Sequence, residues 1–361
     1  MTVGSPPAGS VYPHVRGIQG GGACGASPSG QKSRWFELVC LVAGLVLLVA
    51  TVWTIGLEPL LRDLRAFGWG FALVLLVESL NVLFNTWGWG LAFPAGERTV
   101  SSRRLLAARM AGDGVNYLTP SATVGGEFLR VRLLGSRVPL GLRWASVSVA
   151  KLGQTAAQAL FVVLGLGLVL PRLTATTMWV AWLGGLSAGV VVALAFAWVM
   201  RRGIWTSLDW TARRLGLRGR VPAAWVGHGR DLDAALARLG GRRLTASLSC
   251  FLLGWAVGAV EIYVILAWLG GPVDWTTALA LETGSVLIDG ILFFVPGKVG
   301  TQEGGKVLLF AALGLSPARG LTVGVVRRIR ELAYAGLGLA ALSVLAARPA
   351  LPETFYRSEP S

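Results

Sequence analysis

Apolar residues run along this chain in long blocks separated by short polar segments. A helix rising 1.5 Å per residue needs roughly 20 such residues to cross a hydrocarbon core about 30 Å thick. Six stretches meet that length: 36–56, 69–92, 144–170, 178–200, 244–270 and 321–346. Two further regions, 101–134 and 276–314, are apolar but broken. Each runs as a helical arm into a Pro/Gly-rich centre and continues as a shorter arm. The pattern predicts two broken or re-entrant hairpins, each returning the chain to the side it came from. The expected fold is an all-α polytopic membrane protein with about six full spans and two broken hairpins.

Composition agrees and excludes a string of soluble domains over the 361 residues. Hydrophobic residues make up 54% and charged residues 14%, where soluble chains carry about 25% charged. The formal charge of +15 first suggests nucleic acid, but its distribution assigns it to topology. With the N-terminus on one side and each full span switching sides, that side holds 23 Lys/Arg. The other holds four, Arg62, Arg65, Arg172 and Arg319. The positive-inside rule then places both termini in the cytoplasm of a cell inner membrane. Residues 1–34, rich in Gly, Pro and Ser, and 349–361 read as cytoplasmic tails, the first disordered. Residues 35–348 form the membrane domain, with a basic loop at 201–243. In that loop Ile204, Trp205, Leu208 and Leu215 share one helical face beside Arg213 and Arg214. This suits either a helix on an anionic lipid surface or a loop that sets topology.

The two broken regions align without a gap at one offset, 176 residues. Asp113-Gly114 matches Asp289-Gly290, Pro120 matches Pro296, and Glu127 matches Glu303. Further on, Lys151 meets Arg327, Gln154 meets Arg330 and Gln158 meets Tyr334. Polar residues and proline are scarce at this depth, so these matches carry weight that apolar ones do not. The repeat halves cover about 36–170 and 178–346. Three full spans separate the hairpins, an odd number, so the second copy enters from the opposite face and the repeat is inverted. Inverted repeats with discontinuous helices are an architecture of secondary transporters, with the substrate site near the midplane. A helix broken inside the membrane exposes N–H groups that suit an anion such as phosphate.

Ionisable groups at membrane depth are costly and mark function by default. Six cations, Lys151, Lys298, Lys306, Arg327, Arg328 and Arg330, accompany eight acids: Glu78, Asp113, Glu127, Glu261, Glu282, Asp289, Glu303 and Glu331. Their near-balance predicts pairing inside a polar cavity. Glu78, Asn81 and Asn85 share a helical face, as do Lys151, Gln154 and Gln158, and Arg327, Arg330 and Tyr334. Asn116, Asp113 and Asp289 add polar groups beside the breaks. No catalytic group, metal cluster or cofactor site is expected. The run from Gly300 to Lys306 imitates a phosphate-binding loop. However, Val307 stands where Ser or Thr is needed and no strand precedes it.

At these residues the chain resembles the lysylphosphatidylglycerol synthase transmembrane, or flippase-like, family. The resemblance rests on Asn116-Tyr-Leu-Thr-Pro120, Gly125-Gly126-Glu127-Phe-Leu-Arg130, Pro296-Gly-Lys-Val-Gly300-Thr-Gln-Glu303 and the arginine-bearing last span. Ser121-Ala122-Thr123 departs from the expected Pro-Gly turn. The resemblance implies movement of a lipid and not its synthesis, since the chain ends shortly after the last span. The reading at this point is a carrier of an anionic or zwitterionic lipid or lipid-linked precursor. Arg130, Lys151 and Arg327 are expected on the headgroup phosphate, with Glu127, Glu303, Gln154, Gln158 and Arg330 around it. Pro120, Gly125, Gly126, Pro296, Gly297 and Gly300 would shape the breaks, and Glu78, Asn81 and Asn85 would line the cleft. The partners expected are membrane lipids, not nucleic acid. The alternative is a membrane partner that docks or activates a separate lipid-modifying enzyme without transporting anything.

Overall fold

The computed structural model describes residues 56–118, 125–169, 177–214, 236–270, 273–292 and 300–346. Isolated positions are also described at 46, 49, 50, 53, 216, 229, 230, 233 and 234. Both tails, most of the 36–56 span and most of 215–235 lie outside the described residues, as do the hairpin centres 119–124 and 293–299. All regular structure described is helical: α1 (Leu57–Phe67), α2 (Gly70–Leu91), α3 (Ser102–Leu118), α4 (Gly125–Leu133), α5 (Leu140–Val169) and α6 (Thr177–Arg202) come first. They are followed by α7 (Ile204–Arg214), α8 (Gly241–Trp268), α9 (Trp275–Ile291), α10 (Thr301–Ala312) and α11 (Pro317–Ala346).

Gly70–Leu91, Leu140–Leu168 and Gly241–Trp268 are each long and apolar enough to cross a membrane. A fourth candidate bends by 108° between Gly189–Arg202 and Ile204–Arg214. The 30-residue α11 is long enough, but Arg327, Arg328, Arg330 and Glu331 cluster at its centre and lower its apolar character. Its charges are shielded by neighbouring helices instead of lipid, which permits such a helix at depth.

The helix order α2–α5 recurs as α8–α11 at the sequence offset between the two hairpins. Contacts between α2 and α8 give the sense of the repeat. Ser247 Oγ donates to the Gly88 carbonyl at 2.7 Å, and a Cβ on Gly254 would lie 2.7 Å from Asn85 Nδ2. Further along, Arg330 joins Glu78 of α2 to Glu261 of α8. Residue numbers fall along α2 as they rise along α8, so the two copies of this helix are antiparallel. Each half then lends its last helix to the other: α11 packs on α3, and α5 packs on α9. The α3–α11 approach uses small residues, since a Cβ on Gly114 would meet the Ala335 carbonyl at 2.9 Å and one on Gly338 would clash with the Met110 carbonyl. Between membrane helices, where burial offers little hydrophobic gain, such close backbone packing is a main source of adhesion.

Two apolar cores flank the centre. One includes Trp89, Leu105, Leu134, Val147 and Ala150, and the other Ile265, Leu281, Phe310, Val323 and Val326. These are repeat counterparts, each pair separated by the same 176 residues (89 and 265, 105 and 281, 134 and 310). On α2 the polar residues 78–85 fall between Val74 of one core and Trp89 of the other. The sequence thus forms two dry ends and a polar middle. Leu76, Leu183, Val190, Leu194, Leu332 and Leu337 stay exposed on the outside, as a lipid-facing surface requires.

Candidate functional site

The polar middle encloses a cavity of about 330 Å³. Carboxylates from both halves line it: Glu78, Asp113, Glu261, Glu282, Asp289 and Glu331. Four cations join them, Arg109, Lys306, Arg327 and Arg330.

The stripe predicted on α2 forms a ladder. Asn81 Nδ2 donates to Glu78 Oε1 at 3.0 Å, and Asn85 Nδ2 donates to Asn81 Oδ1 at 2.5 Å. Gln154 of α5 continues it by donating to Asn85 Oδ1 at 3.0 Å. Three-residue and four-residue steps place all of α2's polar groups on one face, so a single neighbouring helix can meet them. The stripe on α11 is held tightly. Arg330 Nη1 lies 2.8 Å from Glu78 and 2.5 Å from Glu261. Arg327 Nη2 lies 3.1 Å from Glu261 and 2.7 Å from Glu282, and donates to the Gly258 carbonyl at 2.8 Å. Tyr334 donates to the Leu75 carbonyl at 2.8 Å and shares a 2.7 Å hydrogen bond with Ser79. Helices α2, α8, α9 and α11 are therefore joined by charge at their crossing. In a low dielectric such pairs tolerate little disturbance, because freeing one member leaves an uncompensated charge.

Each hairpin adds its own cluster. In the first, Arg130 of α4 is paired with Asp113 of α3, and its Nη1 donates to Glu127 at 2.7 Å. Arg109 lies 3.4 Å from Asp113, and Lys151 lies 3.4 Å from Glu127. Asn116 Oδ1 accepts from the Gly126 N–H at 2.7 Å, and a side chain at Gly126 would collide with the Gly112 carbonyl and with Asn116. Only glycine fits where the two arms touch. In the second hairpin Gly300 takes a positive φ of 75° at the start of α10. Glu303 Oε2 accepts from its N–H at 2.8 Å, closing the helix end. Glu303 Oε1 pairs with Arg328 at 2.9 Å, and Arg328 also donates to Tyr117 at 2.8 Å. Gln302 Nε2 donates to Asp289 at 3.2 Å.

Of the residues expected at the site, Glu78, Asn81, Asn85, Asp113, Gln154, Asp289, Arg327 and Arg330 line the cavity. Glu127, Arg130 and Lys151 form a cluster reaching it through Asp113, and Glu303 reaches it through Arg328 and Tyr117. Gln158 faces Gly290 instead, where a Cβ would lie 3.8 Å from its Nε2. Pro120, Pro296, Gly297 and Lys298 fall outside the described residues, while Gly125, Gly126 and Gly300 start α4 and α10. Arg130 and Arg327, expected on a phosphate, are each held between two carboxylates. Sequence reasoning counted Glu261, Glu282, Lys306, Arg328 and Glu331 as buried charges without placing them at the site. It placed neither Arg109 nor Tyr117 at the site, although Tyr117 falls within the motif that carries the resemblance. For Lys306 the repeat held a usable signal, because it stands where the first half has Arg130.

Antiparallel repeat halves around a charged central cavity define a polytopic helical membrane protein. Residues 38–338 match the family described as the lysylphosphatidylglycerol synthase TM region, and the chain belongs to that family. It is 22% identical over 319 residues to a UPF0104 membrane protein of Pyrococcus horikoshii, covering 81% of this chain and 92% of the relative. It is 24% identical over 328 residues to a UPF0104 membrane protein of Methanothermobacter thermautotrophicus, covering 84% and 94%. No solved structure matches.

Proposed function

We propose that this protein moves an anionic or zwitterionic lipid, or a lipid-linked precursor, between leaflets without catalysing a reaction on it. The headgroup passes through the central cavity while the acyl chains stay in the bilayer. One observation carries the reading: ten ionisable side chains from both repeat halves line a cavity of about 330 Å³ in the middle of a membrane fold. A bundle that required only stability would do as well or better with apolar packing there. The family description, which names the membrane region of a lipid synthase, supports a lipid as the cargo. Both termini are assigned to the cytoplasm on the bias of Lys and Arg.

Reconstitution into liposomes with headgroup-labelled phospholipid tests this. Flipping faster than in empty vesicles is expected. Glu127→Gln and Lys151→Ala are each expected to slow it by about tenfold, the worth of one hydrogen bond to a charged group. Flipping no faster than in empty vesicles overturns transport. Co-purification of a lipid-modifying enzyme, lost when the 201–243 loop is neutralised, would then mark the docking role.

A further inference from the structure

Four cations are buried among the described residues, and three of them lie within 4.0 Å of a carboxylate: Arg109 and Arg130 meet Asp113, and Arg327 meets Glu261 and Glu282. Lys306 is the exception. Its residue is 4% exposed and lines the cavity. Among the described residues no carboxylate lies within 4.0 Å of its ammonium, and its one hydrogen bond, to the Gln302 carbonyl, is long at 3.5 Å. An ammonium has three protons to donate, and a buried charge without a counter-ion is expensive. The cavity that Lys306 borders is where a counter-ion fits.

We propose that Lys306 is the anion-receiving group of this cavity and that the anion is a phosphate ester. This rests on the transport reading and sharpens it, because phosphate contact passes from Arg130 and Arg327 to Lys306. Those two arginines are already forked between carboxylates, so an incoming phosphate would have to displace a carboxylate from either one. At Lys306 nothing needs displacing, and the phosphate replaces lost water with charge-assisted hydrogen bonds. The surrounding acids, Asp289 and Glu331 bridged by the Gln302 amide and Glu282 beyond them, disfavour a second negative charge. A monoanionic phosphodiester therefore fits better than a phosphate dianion, and a phosphodiester is the linkage of common phospholipid headgroups.

The test uses the purified full chain in detergent. Thermal stabilisation is titrated with short-chain phosphatidylglycerol, with the matching diacylglycerol that lacks phosphate, and with inorganic phosphate. The wild type is expected to be stabilised by phosphatidylglycerol and not by diacylglycerol. Lys306→Met is expected to weaken that by at least about tenfold, with Lys306→Arg retaining part and Arg238→Ala, far from the cavity, unchanged. Lys306→Met and Lys306→Gln remove a buried charge, so both are expected to fold. Stabilisation by inorganic phosphate as strong as by the lipid would keep Lys306 as the anion site but make a soluble phosphate the ligand. Unchanged lipid binding in a folded Lys306→Met or Lys306→Gln protein overturns the site, even if flipping is intact. So does a wild type that no phosphate-bearing ligand stabilises. Lys306-dependent binding without flipping would overturn the transport reading and leave the site standing.

Discussion

The two broken hairpins share a framework and differ in how they hold their charges. In the first, Arg130 is clasped by Asp113 and Glu127, and Glu127 also draws in Lys151. In the second, the corresponding cation is Lys306, and its neighbours do not clasp it. Glu303, the counterpart of Glu127, caps its own helix and pairs with Arg328. Arg327, the counterpart of Lys151, turns to Glu261 and Glu282. Two sequence differences account for this. The first half has Asn85 and Leu106 where the second has Glu261 and Glu282, so only the second half offers acids that attract its arginine away from the hairpin. An inverted repeat can thus keep its backbone symmetric and still make one half saturated and the other receptive. For a transporter whose two faces must take turns, that inequality is useful.

Removing the acids peculiar to the second half has the largest expected effect. Glu261 is 1% exposed and faces both Arg327 and Arg330. Glu261→Ala leaves two buried guanidinium groups short of a partner and is expected to cost about 3–5 kcal/mol. Thermal unfolding in detergent measures it, and a loss like that of an exposed ion pair would break the comparison. Next comes the hairpin crossing. Gly126→Ala drives a methyl into the Gly112 carbonyl and is expected to cost about 1–3 kcal/mol. The second half carries Gln302 at that position without difficulty, because its side chain reaches Asp289. Gln302→Gly, scored the same way, is therefore expected to be the milder change.

Much of this fold was legible because one constraint, about 20 apolar residues per crossing, dominates a membrane sequence. The repeat was legible through Asp113 and Asp289, residues too costly at depth to match by accident. Helical spacing also placed Glu78, Asn81 and Asn85 on one face, where their hydrogen bonds now run. Periodicity says which residues share a face but not which helix lies opposite. Nothing in the spacing of Arg327 shows that Glu261, on α8, is 3.1 Å away. Arg130 was expected on a phosphate for the same reason: its partner Asp113 lies on the other arm, and only the closed hairpin brings them together. Lys306 was obscured differently. The run from Gly300 to Lys306 imitates a phosphate loop, and that imitation masks the lysine's place in the repeat opposite Arg130.

Making the halves alike sharpens the comparison at smaller cost. Arg130 uses two separate nitrogens for its two acids, and lysine offers one. Arg130→Lys is expected to lose about 1.5 kcal/mol, one charged hydrogen bond, in the same unfolding measurement. A loss as large as that of Arg130→Met would show that lysine keeps none of the clasp, and no loss at all would show that the charge alone suffices.

The smallest effect is expected at Lys151, where stability and function should separate. Its side chain is 42% exposed and its contact with Glu127 is 3.4 Å long, while Arg130 holds the other Glu127 oxygen at 2.7 Å. Removing Lys151 therefore leaves Glu127 paired, and Lys151→Met is expected to change stability by less than about 1 kcal/mol, as for a partly exposed ion pair. Arg327, its repeat counterpart, is 9% exposed and lies between Glu261 and Glu282. Arg327→Met strands acids in a dry site and is expected to cost several times more, about 3–5 kcal/mol. Measured side by side, equal losses would show the two positions to be equivalent and would remove the basis for calling one half saturated and the other receptive. A small loss at Lys151 with slowed flipping would make it a headgroup contact at the mouth of the cavity. Arg327 would then be the pin that holds the cavity's walls together.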